Sequence, residues 1–476
     1  MNVLFIYSLY NIGSSVKPLG SPELIQFGIS YISSYLKKHG HNTELIVLSR
    51  LSGSKNKKII HECMEKFKPD IIAFSPITTE FDFVRSIAKY IKVKFPGIYL
   101  LIGGFHTSIN PEGVLEDFDA LCIGEGESPT LELLKQLEED KIPSGIPNLW
   151  IKNKGNIEKN PTRPFLQDLD KLPFPDREIW QKWIKAGPGA RHSVLLGRGC
   201  PFNCTYCCNH VLKKVATGQY TRYRSPENIV QEIKEITGKY PINNEIYLEV
   251  ESIGVDKEWT MMLCKRLSEF NESLKQPFSF GVNLRITPNL DINNIFPALK
   301  KANFKFVNIG LESGSEKIRS EVLNRHYSND DIINAVRLAK ENGLQVAFLN
   351  MVGLPGETEK DFMETIEMNR KCLPDWTGSS IFYPSPGTSL HALCKQQGLI
   401  KGRLSTEMER SRPVMDLPGF SRKQIEKHYV WFEYNVYRGH KSLIQLLVTA
   451  LRLKITTRPV LFKVYKKIKY IIDYIR

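Results

Sequence analysis

The sequence predicts an α/β protein built from two successive strand–helix runs. A doubly wound parallel sheet comes first, then a partial (β/α)6 barrel, then a helical C-terminal extension. Three observations carry this. Short apolar strands alternate with helices of about 12 residues from Val3 to about residue 140, the pattern of a parallel sheet with helical crossovers. A second, six-fold alternation starts at Ser193 and ends near residue 390. Beyond Gly402 the strands stop, and the chain turns aromatic and then basic in helix-period patterns.

The chain of 476 residues is 42% hydrophobic and 24% charged, the composition of a globular protein with room for several cores. Residues 1–7 read directly as a strand rather than as a signal peptide. No apolar run reaches the roughly 18 residues of a membrane span. Nine cysteines, four of them in one loop, are an odd set for a disulfide framework, which places the chain in a reducing compartment, the cytoplasm. The net charge of +14 is lopsided: residues 438–476 hold ten Lys/Arg against one acid, Asp473. The excess belongs to the tail, so no nucleic-acid partner is expected.

In the first run, strands read at 3–7, 43–48, 70–75, 99–104 and 120–124, and helices at 25–38, 57–67 and 83–94. The strand at 70–75 is almost unbrokenly apolar, as a strand covered on both faces must be. Ligands of doubly wound sheets bind beyond the carboxyl ends of strands. Ser75-Pro76-Ile77, Gly103-Gly104 and Gly124-Glu125-Gly126-Glu127 fall there. Residues 141–190 are rich in Pro, Asn and Lys, and 166–176 carries two prolines without a period, so this stretch reads as a linker.

In the second run, strands read at 193–196, 245–249, 279–284, 306–309, 345–351 and 378–383. Helices read at 226–237, 257–270, 292–302, 315–323 with 330–342, and 359–372. Polar residues at the carboxyl ends of such strands read as active-site residues. Glu249 and Glu251, Asn283 and Arg285, Glu312-Ser313-Gly314, and the stretch 350–355 occupy those ends. Carboxylates and Asn accept from an ammonium or ribose hydroxyls, while Arg pairs with a carboxylate.

Between the first strand of that run and its first helix lies Gly199-Cys200-Pro201-Phe202-Asn203-Cys204-Thr205-Tyr206-Cys207-Cys208. Thiolates are soft ligands for zinc and iron–sulfur clusters. A closed zinc site normally takes four ligands, and the chain has no second C-x2-C or His pair. Three cysteines at C-x3-C-x2-C spacing suit a cubane with one iron left open.

With Tyr206 before the last of them, this loop resembles that of the radical S-adenosylmethionine family. The resemblance implies that Cys200, Cys204 and Cys207 hold a 4Fe–4S cluster whose open iron takes the amino and carboxylate groups of S-adenosyl-L-methionine. It also implies reductive cleavage to a 5′-deoxyadenosyl radical, fed by an external electron donor of ferredoxin or flavodoxin type. Cys208, adjacent to Cys207, is read as a bystander. Ile309-Gly310-Leu311-Glu312-Ser313-Gly314-Ser315 is similar to the family's fourth-strand motif, where the Glu meets the ribose. Val352-Gly353-Leu354-Pro355-Gly356-Glu357-Thr358 is similar to a later motif near the adenine. The cofactor contacts the resemblance implies are Tyr206, Glu249, Glu251, Arg285, Glu312, Ser313 and Gly353. Which of the two strand-end acids meets the methionine amine is left open.

The first run resembles the flavodoxin-like cobalamin-binding domain. Ser75-Pro76-Ile77 and Gly103-Gly104 approximate its Ser-x-Leu turn and Gly-Gly pair with nearly the family's separation, which implies that Ser75, Gly103 and Gly104 line the cobalamin nucleotide tail. The family's Asp-x-His-x-x-Gly motif is missing: the chain reads Ser8-Leu9-Tyr10-Asn11-Ile12-Gly13, so histidine ligation of cobalt is not expected. His106 reads as a polar loop residue.

The resulting division is a cobalamin-binding-like domain at 1–140, a linker at 141–190, a radical S-adenosylmethionine partial barrel at 191–395 and a basic helical extension at 396–476. The resemblance implies an enzyme, a cobalamin-dependent methyltransferase that C-methylates an unactivated carbon of a small or lipophilic substrate. The alternatives are a radical cyclase or oxidoreductase without methyl transfer, and a non-catalytic cobalamin-binding module. Methylthiolation of transfer RNA is disfavoured, because the first domain holds only Cys63 and Cys122. Residues 422–437 read as an aromatic-rich helix packed on the core. Residues 459–474 read as a basic amphipathic helix suited to a membrane interface or to docking on its own barrel, so a cytoplasmic protein with peripheral inner-membrane contact is expected.

Overall fold

The computed structural model describes residues 1–9, 17–153, 155–187, 189–240, 243–406, 410–458, 461–462 and 464–465. The chain divides into two compact units. One comprises Met1–Ala190 with Cys208–Tyr223, the other Arg191–Cys207 with Arg224–Arg476.

The first unit is a seven-stranded sheet in the order β2-β1-β3-β4-β5-β6-β7. Strands β1 (Asn2–Leu9), β2 (Asn42–Ser49), β3 (Ile71–Phe74), β4 (Tyr99–Ile102) and β5 (Ala120–Cys122) are parallel. Their 2-1-3-4-5 order is the flavodoxin-like one, with its switch point between β1 and β3. Apolar runs make the core, and Leu4, Ile71, Ile72, Leu100 and Ile102 are fully buried. Helices α1 (Phe27–Lys38), α2 (Ser54–Phe67), α3 (Phe81–Lys94), α4 (Phe105–Ile109) and α5 (Glu127–Glu138) follow the strands. From Tyr10 onward, the stretch standing in place of the cobalt-ligand motif lies outside the described residues.

Residues 141–190 are not a linker. They add an antiparallel hairpin, β6 (Leu149–Asn153) and β7 (Asn156–Lys159), to the edge at β5. Trp180 and Trp183 then return to the core, where both are buried. Trp180 Nε1 donates to Ser30 Oγ at 2.8 Å and Trp183 Nε1 to the Leu45 carbonyl at 3.0 Å. Burying two indoles, each with its N–H partnered, stabilises a segment of little intrinsic preference.

The second unit is a six-stranded parallel sheet whose strands neighbour one another in chain order. These are β8 (His192–Leu195), β9 (Glu245–Glu249), β10 (Ser279–Leu284), β11 (Phe304–Glu312), β12 (Gln345–Val352) and β13 (Trp376–Ile381). They are connected by α6 (Pro226–Lys239), α7 (Lys257–Glu272), α8 (Ile292–Lys301), α9 (Asn329–Glu341) and α10 (Glu359–Cys372). Consecutive right-handed crossovers in one direction wind the sheet toward a barrel. Strands β8 and β13 remain its edges, so the barrel is open. All carboxyl ends share one rim.

At the opposite end the rings of Tyr247 and Phe306 lie parallel, and Trp376 meets Phe306 edge-on. Arg191 lies over both Tyr247 and Phe306 while pairing with Glu245. Gly281 is required there, since a Cβ on it would stand 1.9 Å from the Phe306 ring.

The C-terminal extension packs α11 (Ser389–Gln396), α12 (Arg422–Val430), α13 (Phe432–Tyr437) and α14 (Leu443–Thr456) on this unit. The expected single helix over 422–437 breaks at Trp431 (φ −95°, ψ 10°) into α12 and α13. Most of the expected helix at 459–474 lies outside the described residues. Among the described residues no helix is long and apolar enough to cross a membrane.

Candidate active site

The cysteine loop sits at the carboxyl rim of the second unit. Cys200 and Cys204 are buried and Cys207 is half-buried. Thr205 fixes the loop from both sides, donating through Oγ1 to the Val322 carbonyl at 2.5 Å and accepting the Leu390 N–H at 3.0 Å. Asn324 Nδ2 adds a bond to the Asn203 carbonyl at 3.0 Å. Burial pushes the Cys200 thiol up to about 12; the Phe202 N–H opposes this, and Glu251, Cys204 and Cys207 reinforce it. This thiol stays protonated until a cation displaces the proton, so metal binding there and proton release are coupled. Among the described residues no three His, Cys, Asp or Glu side chains stand close enough to enclose a single metal ion.

Arg285, just beyond β10, reaches into the loop. Its Nη1 donates to Cys204 Sγ at 2.7 Å, and its guanidinium lies 3.9 Å over the Phe202 ring. Its Nε is buried with no hydrogen-bond partner among the described residues. Its own N–H is held by Ser252 Oγ at 2.9 Å, so the β9 loop positions the β10 arginine.

Glu312 ends β11 in the left-handed region, φ +63°, where the register against β12 shifts. Its carboxylate folds back over Gly310, where a Cβ would stand 2.5 Å from Oε1. The same oxygen accepts from Tyr206 Oη at 2.9 Å and Arg325 Nη1 at 3.1 Å. Arg325 also donates to Tyr206 Oη at 2.9 Å and to the Gly310 carbonyl. A buried charge is tolerable only with such partners. Burial, then the Glu312 charge, holds the Tyr206 phenol far above its ordinary range, so it remains a donor.

Gly314 permits the following turn, because a Cβ there would meet the Glu364 carbonyl of α10 at 2.3 Å. Ser313, an expected cofactor contact, is fully buried beside Thr365 of α10 and caps the Ser315 N–H at 3.2 Å. Its hydroxyl serves the turn. The helix expected at 315–323 is a π-helix, Ile318–Val322. Its buried Arg319 donates to the Ser313 carbonyl at 2.7 Å, bracing the turn from below.

Glu249 is half-buried at the end of β9, and its carbonyl accepts the Leu196 N–H at 2.9 Å. Glu251, two residues on, is exposed, and its charge reaches the Cys200 thiol. Gly353 follows β12 at φ +82°. Its N–H and that of Leu354 donate to Glu357 Oε2 at 2.7 and 3.1 Å. Glu357 is fully buried, and burial pushes its carboxyl up to about 8 against those two N–H groups.

In the first unit, Ser75 and Gly104 meet at the carboxyl ends of β3 and β4. A Cβ on Gly104 (φ +88°) would stand 2.6 Å from Ser75 Oγ, and one on Gly103 would only touch Cys122. Ile77 and Phe105, 52% and 54% exposed, leave large apolar side chains in the open beside this pair. His106 is no surface loop residue. It is buried in α4 against the Phe81 ring, with Nδ1 3.3 Å from Thr78 Oγ1 and Nε2 without a partner among the described residues. A glycine-lined notch, exposed apolar side chains and an orphaned buried nitrogen fit a large, partly apolar ligand with polar substituents, such as a corrinoid. Beyond β5, Glu125 pairs with Arg222, and a cavity of about 370 Å³ opens beside Gly124 and Asn148.

Two family models match the chain: the B12 binding domain over residues 21–134 and the Radical SAM superfamily over residues 194–368. The chain belongs to the cobalamin-binding radical S-adenosylmethionine enzymes. An uncharacterized methyltransferase of Pyrococcus horikoshii is 27% identical over 410 residues, 84% of this chain and 85% of that one. The anaerobic magnesium-protoporphyrin IX monomethyl ester cyclase of Rubrivivax gelatinosus is 26% identical over 404 residues, 82% and 69% of the two. The solved radical S-adenosylmethionine methyltransferase TsrM of Kitasatospora setae, with cobalamin and a 4Fe–4S cluster bound, shares the fold. It aligns at TM-score 0.67 and 17% identity over 95% of this chain and 90% of that one.

As a member of this family the enzyme uses a 4Fe–4S cluster, S-adenosyl-L-methionine and cobalamin. The structure brings Cys200, Cys204, Arg285, Tyr206 and Glu312 together at one rim. Sequence reasoning missed Arg325, which holds Glu312 in place, and Tyr327, whose hydroxyl accepts from Arg325 Nε at 3.0 Å. Neither lies in a motif, and only a partly enclosed carboxylate in need of a counter-charge points to them. It also passed over Glu357, although the residue stands inside a quoted motif.

Proposed function

We propose that the enzyme C-methylates an unactivated carbon of a small or lipophilic substrate by a radical route. The reading rests on one observation: a cysteine loop with an ordered Tyr206–Glu312–Arg325 cluster shares the chain with a cobalamin-binding domain. When bound, the cluster, S-adenosyl-L-methionine and cobalamin supply a 5′-deoxyadenosyl radical and a transferable methyl group.

The chain's own residues do the positioning. Cys200, Cys204 and Cys207 anchor three irons. Glu312, fixed by Tyr206 and Arg325, accepts from the ribose hydroxyls. Glu251, the exposed acid beside the cysteine loop, meets the methionine amine in preference to Glu249. Arg285 faces the cluster and the methionine carboxylate from the same rim. Gly353 lets the adenine approach the backbone, and Ser313 contributes through the turn it shapes. Ser75, Gly103 and Gly104 admit the nucleotide tail of cobalamin. The aromatic layer of Tyr247, Phe306 and Trp376 closes the far end of the barrel, which keeps water from a carbon radical. An external electron donor of ferredoxin or flavodoxin type reduces the cluster. The protein is cytoplasmic, with a peripheral membrane contact through its basic C-terminal segment.

The test is anaerobic reconstitution with iron, sulfide, S-adenosyl-L-methionine, a low-potential reductant and hydroxocobalamin. Formation of 5′-deoxyadenosine and S-adenosylhomocysteine, the latter requiring the corrinoid, is expected. The cyclase relative favours a second reading, a radical cyclisation without methyl transfer. It predicts 5′-deoxyadenosine alone. Neither product, or 5′-deoxyadenosine from a Cys204→Ala variant, sinks both readings.

A further inference from the structure

Helix α14 is apolar on two opposite faces. Leu446 and Ala450 are buried against α12 and α13. On the other side Ile444, Leu447, Val448 and Leu451 are 75%, 42%, 60% and 60% exposed. Their i, i+3, i+4, i+7 spacing makes one continuous stripe. A surface helix with a single inner face to bury has no use for a second apolar stripe, and exposed contiguous apolar surface marks an interaction site.

The charges around the stripe identify the occupant. At 100° per residue Arg452 flanks it on one side and Lys454 on the other, and Arg458 follows at its end; all three are exposed. There is no Asp or Glu between Glu433 and Asp473. A second copy packed stripe to stripe would set these cations against their own kind. An anionic lipid surface attracts them, and their aliphatic stems lie along the stripe while the charged heads reach phosphates.

We propose that α14 docks the enzyme on an anionic phospholipid bilayer. Ile444, Leu447, Val448 and Leu451 enter the acyl boundary, and Arg452, Lys454 and Arg458 sit at the headgroups. This deepens the peripheral contact proposed above by assigning it to a helix outside 459–474, and it rests on that contact but not on the radical chemistry.

The test floats the reconstituted full-length enzyme with vesicles of phosphatidylcholine alone and of phosphatidylcholine mixed with phosphatidylglycerol. Binding to the mixed vesicles, weakened by salt, is expected. The triple variant Ile444→Ser, Leu447→Ser, Leu451→Ser should lower it by roughly 100-fold. Arg452→Gln, Lys454→Gln, Arg458→Gln should lower binding to mixed vesicles by roughly 100-fold and leave the weak binding to pure phosphatidylcholine little changed. Unaltered binding by both variants overturns the proposal, as does no binding by the parent. A concentration-dependent dimer in light scattering that the serine variant abolishes overturns it in favour of a second copy. Formation of 5′-deoxyadenosine in the same samples tests the radical reading separately, because no altered residue lies at the active site.

Discussion

Arg285 Nη1 donates to Cys204 Sγ at 2.7 Å while the same guanidinium stacks on Phe202. With Cys204 as a ligand of the proposed cluster, such a charged donor would stabilise the more negative, reduced state, since hydrogen bonds to the sulfurs help set the potential. Arg285→Met is therefore expected to lower the reduction potential by on the order of 50 mV. A redox titration followed by electron paramagnetic resonance measures this. An unchanged potential with weakened S-adenosyl-L-methionine binding would move the arginine from the sulfur to the carboxylate.

Cys208 lies next to Cys207 in sequence but is the first residue of a segment, Cys208–Tyr223, that belongs to the first unit. Its carbonyl accepts from the N–H groups of Val211 and Leu212, starting the short helix Asn209–Leu212. Cys208→Ser should keep about four irons per chain after reconstitution, whereas Cys204→Ser should lose the cluster. Iron and sulfide analysis decides it, and loss of iron from the Cys208 variant would make it a ligand.

Gly310 is the residue that lets Glu312 fold back. In Gly310→Ala the methyl group would stand 2.5 Å from Glu312 Oε1, and the carboxylate has to leave Tyr206 and Arg325. Disturbing a buried hydrogen-bonded charge costs about 1–3 kcal/mol. The expected result is roughly ten-fold weaker S-adenosyl-L-methionine binding by calorimetry, with the melting temperature lowered by a few degrees. Tyr206→Phe should reproduce the stability loss. Full-strength binding in Gly310→Ala would remove Glu312 from the cosubstrate site.

Both runs of alternating strands and helices were legible because parallel strands bury both faces, and runs such as Ile71-Ile72-Ala73-Phe74 carry that fact in composition alone. The hairpin of β6 and β7 was not, because Pro, Lys and Asn on either side mask two short half-exposed strands, and the indoles that anchor residues 141–190 act on partners over 130 positions away. In the site, the cysteine spacing and the glycines around Glu312 are local and could be read. The contacts that hold Glu312 in place are not local: Arg325 joins Tyr206 across 119 positions. The sequence marks Ser313 as part of a motif without saying whether its side chain or its turn is what the motif keeps. The split of 422–437 at Trp431 likewise follows from packing on α10, where Phe362 meets Phe432, and leaves no trace in the helical period.

His106 carries the remaining prediction. Burial among Phe81, Thr78 and the carboxyl end of β4 lowers its pKa from 6.5 to about 4, with Asp82 opposing weakly. The folded value lies below the unfolded one, so the unfolded chain takes up the proton first. Stability is then highest above about pH 6.5 and is lost as the pH falls toward 4, where the loss levels off. Two pH units below the unfolded value this amounts to about 2–3 kcal/mol. His106→Gln has no proton to take up in that window, so its thermal stability should fall less between pH 7 and pH 4.5 than that of the parent. Parallel melting-temperature curves for the two proteins over this range would show that the imidazole is not held neutral in the fold.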